Sequence, residues 1–234
     1  MTSVSGAGVN RASAGFRISC GFMSGPFTEV DAAGEGGAAT PRTVARKEEL
    51  RREFRSRLAT VEPGLARAAA ASAAERLAEL IEERGARGIL ACLSFGDEID
   101  TWGLVDRLGR TGCALYVPRA EPRDRQLHVH RWPCELRTLE FGLRQPPRGA
   151  PELPDEEIEG AIDLALVLGL AFDRHGIRLG HGSGYFDRFL ARHPLFAVGV
   201  AFDFQLVDEL PRAAHDRPMA AVVTERGVRR MPPA

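Results

Sequence analysis

Residues 178 to 190, RLGHGSGYFDRFL, set three glycines, Gly180, Gly182 and Gly184, at alternate positions between an apolar run and an amphipathic stretch. Without side chains at those positions, successive backbone N–H groups can close on an anion, and a helix that starts where the run ends adds its positive N-terminal end. Asp187 falls in the first turn of that helix, in position to hold a cation. The spacing is GxGxG rather than GxGxxG, and no Lys-Ser or Lys-Thr closes the run, so neither the dinucleotide fingerprint nor the Walker loop is met. Taken alone, such a run also serves as a tight turn where a strand and a helix approach closely.

The second chemical signal is a residue count. Lysine and arginine together number 31, and Lys47 is the single lysine among them. Arginine cannot simply replace lysine where a compact, mobile point charge is needed, as at a transferring phosphate. Residues 42 to 59 read as a helix with the apolar stripe Leu50, Phe54 and Leu58. At about 100° per residue Lys47 projects between Phe54 and Leu58, with Arg51 one turn later at the edge of the stripe. An inward lysine there either meets a ligand or snorkels to water along its stem.

The elements that must carry these groups follow a βα pattern. An alanine-rich helix over 63 to 84, ending near Gly85, precedes a buried strand at 88 to 94, a helix at 101 to 110 and a strand at 113 to 118, a βαβ unit with parallel pairing and a right-handed crossover. Residues 126 to 140 alternate polar and apolar and predict one or two antiparallel edge strands, on which His128 and His130 share a half-exposed face with no third metal ligand nearby. The Pro-rich stretch at 146 to 154 is a surface loop. Residues 162 to 172 predict one central strand, followed by a turn at DRHG, the glycine run, a helix to about His193, a strand at 195 to 201, a short helical piece near Gln205 to Asp208, a last strand at 219 to 224 and a loose tail. Residues 1 to 41, rich in small residues and without periodicity, read as a disordered extension, so 42 to 228 form a single domain and 229 to 234 a tail.

Lys47, Arg51, Glu98, Arg119 and the glycine run are thus all candidates for the C-terminal rim of one parallel sheet, where open α/β sheets bind ligands. Glu98, within DEID, also reads as a loop acid beside the helix starting at Thr101. A net charge of −1 argues against capture of nucleic acid or an acidic membrane, because neutralising phosphates needs clustered basic excess. The four cysteines show no CxxC or zinc spacing and fit a reducing cytoplasm, and the longest apolar stretch is too short for a membrane span. The expected partners are small molecules, the expected state a monomer or small homo-oligomer.

Several separate motifs bear a resemblance to the 5-formyltetrahydrofolate cyclo-ligase (5,10-methenyltetrahydrofolate synthetase) family: KEELR at 47 to 51, LSFGDEIDT at 93 to 101, VPR at 117 to 119, FGLRQP at 141 to 146, FDRHGIRLGHGSGYFDRFL at 172 to 190 and AFDFQLVDELPRAAHD at 201 to 216. The resemblance implies a three-layer α/β/α fold with a mostly parallel central sheet, similar to sugar-phosphate isomerases and CoA-transferases. It implies an ATP-dependent ring closure with magnesium. Carried over by position, Lys47 and Arg51 would grip the ATP phosphates, and Arg178, Leu179, Gly180, His181, Gly182, Ser183, Gly184, Tyr185 and Phe186 would cradle them. Asp187 would hold Mg²⁺. Leu93, Glu98, Phe141 and Tyr185 would contact the folate, and Lys47, Arg178 and Tyr185 are the residues implied for catalysis. The chain departs from the family pattern at His181, Ser183 and Phe186, and at Ala220, where many members carry an aspartate associated with magnesium.

Overall fold

The computed structural model describes residues 39–139 and 142–232. The readings made for residues 1–38, for Phe141 and for the last two residues lie outside it. Helix α1 (Pro41–Leu58) begins where Thr40 caps it, its hydroxyl accepting from the Thr43 N–H at 3.2 Å, and Pro41 fills the first position, where no N–H is needed. Lys47, Leu50, Phe54 and Leu58 are buried along one face, as the spacing predicts. Helix α2 (Pro63–Arg84) is capped by Glu62 and stopped by Gly85 at φ +61°.

The alternating half of the chain gives β1 (Gly88–Ala91), α3 (Trp102–Leu108), β2 (Ala114–Glu121), β3 (Gln126–Arg131), a two-residue ribbon β4 (Arg137–Thr138) and β5 (Arg144–Gln145), and α4 (Ile158–Ala161). It continues through β6 (Leu164–Leu168), β7 (Ala171–Asp173), β8 (Arg178–Leu179), α5 (Tyr185–Arg192), β9 (Phe196–Val200), β10 (Leu206–Val207), β11 (Ala221–Val223) and β12 (Val228–Arg230). The main sheet has the order β12-β11-β9-β6-β1-β2-β3. Its five inner strands are parallel and both edge strands antiparallel.

Alternation along these strands divides the core into two layers. Ile89, Leu164, Leu166, Val198 and Val223 pack with Phe54, Leu77 and Leu104 of α1, α2 and α3. Leu90, Ala165, Val167, Ala197 and Val222 face the other way, with Ile158, Phe189 and Leu190 of α4 and α5. A sheet covered on both faces needs apolar residues at every strand position, which is why these segments read as continuous apolar runs. The result is the expected three-layer, mostly parallel fold. Gly199 lets the layers close: a Cβ there would lie 2.5 Å from the Phe172 ring.

Four expectations are corrected. The run from 162 to 172 is two strands, because the chain leaves the main sheet at Gly169 and β7 joins β8 and β10 in a second, three-stranded sheet. Gln205 secures the break, its amide donating to the carbonyls of Gly169 and Leu170 at 2.8 and 3.0 Å. The strand at 88 to 94 ends at Ala91, since Thr101 and Ser94 bind one another's backbone and turn the chain out of the sheet. Part of the supposed loose tail is ordered, for β12 pairs antiparallel with β11 through Ala221, Val222 and Val223. The helical piece expected near Gln205 to Asp208 is instead a 3-10 turn at Asp203–Gln205 followed by the strand β10, which extends to pair with β7.

Candidate functional site

The glycine run begins as β8 and ends as the cap of α5. Gly182 (φ +114°) and Gly184 (φ +63°) adopt backbone conformations that side chains disfavour, so the turn depends on glycine at both positions. At Gly180 the need is space, since a Cβ would lie 2.4 Å from the Arg178 guanidinium. Helix α1 lies directly against this loop. Arg51 Nε donates to the Gly180 carbonyl at 2.9 Å, and Arg55 reaches the His181 carbonyl at 3.4 Å. The arginine one turn after Lys47 therefore fixes the loop to the helix that carries the lysine.

Lys47 itself donates to both carboxylate oxygens of Asp216, at 2.9 and 2.6 Å, with side-chain exposures of 11% and 6%. Asp216 went unnoticed in the sequence. The one available signal was that a buried lysine requires an acid, and nothing in the spacing says which of the chain's many acids supplies it. Asp216 also accepts from the Ala213 N–H at 2.7 Å, which holds its turn in place. The next residue closes a ring of contacts: the Arg217 N–H donates to Asp187 Oδ1 at 3.3 Å, and Arg178 donates to Asp187 Oδ2 at 3.0 Å. Lys47, Asp216, Asp187, Arg178 and the glycine loop thus share one locus.

Arg178 is buried, and its Nε is fully enclosed with no hydrogen-bond partner among the described residues. Its guanidinium carbon lies 5.8 Å from the Phe186 ring centre. Tyr185 opens α5 with the Arg188 guanidinium over its ring at 5.3 Å. Burial pushes the Tyr185 hydroxyl above the ordinary phenol range, so at neutral pH it is a donor rather than a base. Leu179 is buried in β8, and Ser183 contributes its carbonyl to Arg188 at 2.9 Å.

Glu98 enters from the other side. His181 Nε2 lies 2.9 Å from Glu98 Oε1, while Glu98 Oε2 accepts from the Phe95 N–H at 3.1 Å. Leu93, just before that turn, is buried in the core. The Cys92 thiol is pushed up to about 12 by burial and then by the Glu98 charge, which keeps it neutral.

Arg119 does not join the group. It is buried in a separate network, pairing with Glu121 at 2.8 Å and Glu152 at 2.7 Å and donating to His130 Nε2 at 3.3 Å. That network ties the Pro-rich loop to β2 and β3. His128 bridges Asp124 and Glu152 in it, at 2.9 and 2.7 Å. The backbone of Ala220 is occupied at the sheet, donating to the Ala197 carbonyl at 2.7 Å and accepting from the Met231 N–H at 2.9 Å. A cavity of about 670 Å³ lined by Arg57, Leu65, Phe202 and Phe204 opens at the far end of α1 and includes none of the predicted site residues.

The donor set suits a magnesium ion that brings its own phosphates. Among the described residues no cluster of three or more His, Cys, Asp or Glu could hold a metal without help. Magnesium is commonly held by one or two carboxylates with phosphate oxygens and water completing the shell, and Asp187, beside the loop, is the carboxylate that could join such a shell. No helix among the described residues is long and apolar enough to cross a membrane.

Comparison with known proteins points in one direction. A model of the 5-formyltetrahydrofolate cyclo-ligase family matches residues 43–225. A protein of Mycolicibacterium smegmatis named 5-formyltetrahydrofolate cyclo-ligase is 38% identical over 151 residues, covering 61% of this chain and 76% of that protein. Its Escherichia coli namesake is 33% identical over 145 residues, covering 59% of this chain and 78% of that protein. In three dimensions the chain is similar to the 5,10-methenyltetrahydrofolate synthetase of Aquifex aeolicus, with a TM-score of 0.68 and 29% identity over 80% of this chain and 94% of that one.

Proposed function

The chain belongs to the 5-formyltetrahydrofolate cyclo-ligase family, and we propose that it carries out the ATP-dependent closure of 5-formyltetrahydrofolate to 5,10-methenyltetrahydrofolate where α1 meets the glycine loop. A formyl oxygen bound to an amide carbon is a poor leaving group. Transfer of the γ-phosphoryl group of ATP to that oxygen gives ADP and a phosphorylated imidate. The N10 amine attacks the activated carbon and loses its proton, and the carbon–oxygen bond breaks to release phosphate, which keeps the original formyl oxygen. The protein must align oxygen with phosphorus and neutralise the charge that develops between them.

Each group has a task in this scheme. Two of the three Lys47 N–H donors are engaged by Asp216, so one is left for a phosphate oxygen. Arg51 secures the loop through Gly180 and adds positive charge beside it. The loop amides from Gly180 to Phe186 form the anion cradle, and the enclosed, unpartnered Arg178 Nε is a donor awaiting an acceptor. Magnesium, when bound, would neutralise phosphate oxygens, with Asp187 holding it. Glu98, Leu93, Tyr185 and Phe141 serve the folate, Glu98 as acceptor for the polar edge of the pterin and Tyr185 as a hydroxyl donor.

The observation that most supports this reading is the contact of Arg51 with Gly180, which brings the lysine-bearing helix to the glycine loop. The test is turnover by the purified protein with ATP and 5-formyltetrahydrofolate, following the methenyl product by absorbance. ATP-dependent product formation is expected. ATP consumption with a different acceptor, or binding of folate and nucleotide without product, would overturn it.

A further inference from the structure

The Glu98 carboxylate is nearly enclosed and is held on both oxygens. Its side chain is only 7% exposed, with Oε1 on His181 and Oε2 on the Phe95 N–H. The Phe95 contact is local, spanning three residues of one turn, and has nothing to gain by moving. His181 is different. It is 34% exposed, comes from an element 83 residues away, stacks obliquely on Phe95 at 5.6 Å and sits between Gly180 and Gly182, the second of these at φ +114°. With the Glu98 side chain so enclosed, a folate amine gains room at the carboxylate when one of these two donors leaves, and the histidine is the replaceable one.

We propose that His181 is a latch that couples the two substrates: it occupies Glu98 until nucleotide draws the glycine loop around its phosphates and carries the imidazole away. This rests on the functional reading above, with Glu98 as the pterin acceptor and the loop as the phosphate cradle. His181 is then a positioning residue. Its backbone belongs to the cradle, its Nε2–H fills the folate acceptor, and one movement of the loop serves both subsites. The charges around it fit such a movement: Arg51 and Arg55 of α1 hold the carbonyls of Gly180 and His181, so phosphate arriving at the loop competes for the same guanidinium groups that fix it. Linkage requires the effect to be mutual, with nucleotide tightening folate binding by the same factor as folate tightens nucleotide binding.

The experiment measures 5-formyltetrahydrofolate affinity with and without a non-hydrolysable ATP analogue and magnesium, in the wild type, His181→Ala and His181→Gln. Wild type is expected to bind folate at least about fivefold tighter with nucleotide present. His181→Ala should bind folate comparably tightly without nucleotide and show little further gain. His181→Gln, whose amide N–H can also reach Glu98, should keep the coupling. An unchanged coupling factor in His181→Ala overturns the latch, and so does equal weakening of folate binding with and without nucleotide, which would make His181 a plain contact. Turnover of 5-formyltetrahydrofolate by the wild type separates the two levels: turnover with unaltered coupling in His181→Ala removes the latch alone, whereas no turnover removes the functional reading and the latch with it.

Discussion

Lys47 and Asp216 stand 169 residues apart in the chain and meet as a buried ion pair, with Nζ 2.9 and 2.6 Å from the two carboxylate oxygens. Lys47 is the only lysine in the chain, and this buried pair is where it is placed. The pair holds the start of α1 against the segment that carries Arg217, whose N–H touches Asp187. It links α1 to the turn beside Asp187, the groups assigned above to phosphate and to magnesium.

Removing the lysine should therefore affect both activity and stability. Lys47→Ala should raise the KM for ATP at least about tenfold, a little over 1 kcal/mol of lost phosphate binding. It should also destabilise the fold by about 3–5 kcal/mol, because Asp216 is left buried without its counter-charge. The Lys47→Ala, Asp216→Ala double variant should recover much of that stability in urea unfolding and none of the activity. An unchanged ATP titration would remove Lys47 from the site.

Magnesium dependence tests the acidic side. Asp187→Asn removes the charge and keeps one oxygen to accept from Arg178 or from the Arg217 N–H, which use different oxygens of the aspartate. Activity should then need magnesium concentrations several-fold higher, with the thermal midpoint changed by only a few degrees. A magnesium titration superimposable on that of the wild type would reject Asp187 as a ligand.

The loop conformation makes a third prediction. Gly182 sits at φ +114°, and a Cβ there would be 3.6 Å from Arg51, an ordinary contact, so the cost of Gly182→Ala is conformational and not steric. Strain of about 1–3 kcal/mol should appear as a lower unfolding midpoint and weaker ATP binding. Equal stability and equal ATP affinity would show that the loop does not need this backbone.

The network around Arg119 should give stability a pH dependence near neutrality. Burial, as the largest effect, holds His130 below its usual value of 6.5, with the Arg119 charge acting in the same direction. The unfolded chain then takes up the proton first, so this contribution is complete above about pH 6.5 and is lost as pH falls through the lower folded value. Denaturant unfolding between pH 7.5 and 5.5 should show stability declining with acid, and His130→Gln should flatten that slope. Glu121, Asp124 and Glu152 are also held below their usual values, and their loss falls in a separate, more acidic window. A slope unchanged in His130→Gln would assign it elsewhere.

Much of this architecture was legible in the residues because its signals are local. The stripe of Leu50, Phe54 and Leu58, the Gly85 end of α2 and the glycine run all report structure within a few positions of themselves. The break at Gly169 was hidden because a strand buried on both faces has no alternation to interrupt. The edge strand Val228–Arg230 was missed for a similar reason, since its pairing depends on β11 and not on its own pattern. At the site, the inward lysine was readable from azimuth, yet its partner Asp216 was not, because an ion pair across 169 residues leaves no spacing signal. Arg119 shows the opposite failure: its position at a strand end suggested a ligand, and tertiary packing spent its charge on Glu121 and Glu152.

The most direct test of the central claim follows one oxygen atom. With 5-formyltetrahydrofolate labelled with oxygen-18 in the formyl group and unlabelled ATP, phosphorylation of that oxygen predicts one labelled atom in each inorganic phosphate released, matched one to one with methenyl product and ADP. Unlabelled phosphate, formed while the methenyl product accumulates, would mean that ATP is hydrolysed by water and that the site does not activate the formyl group.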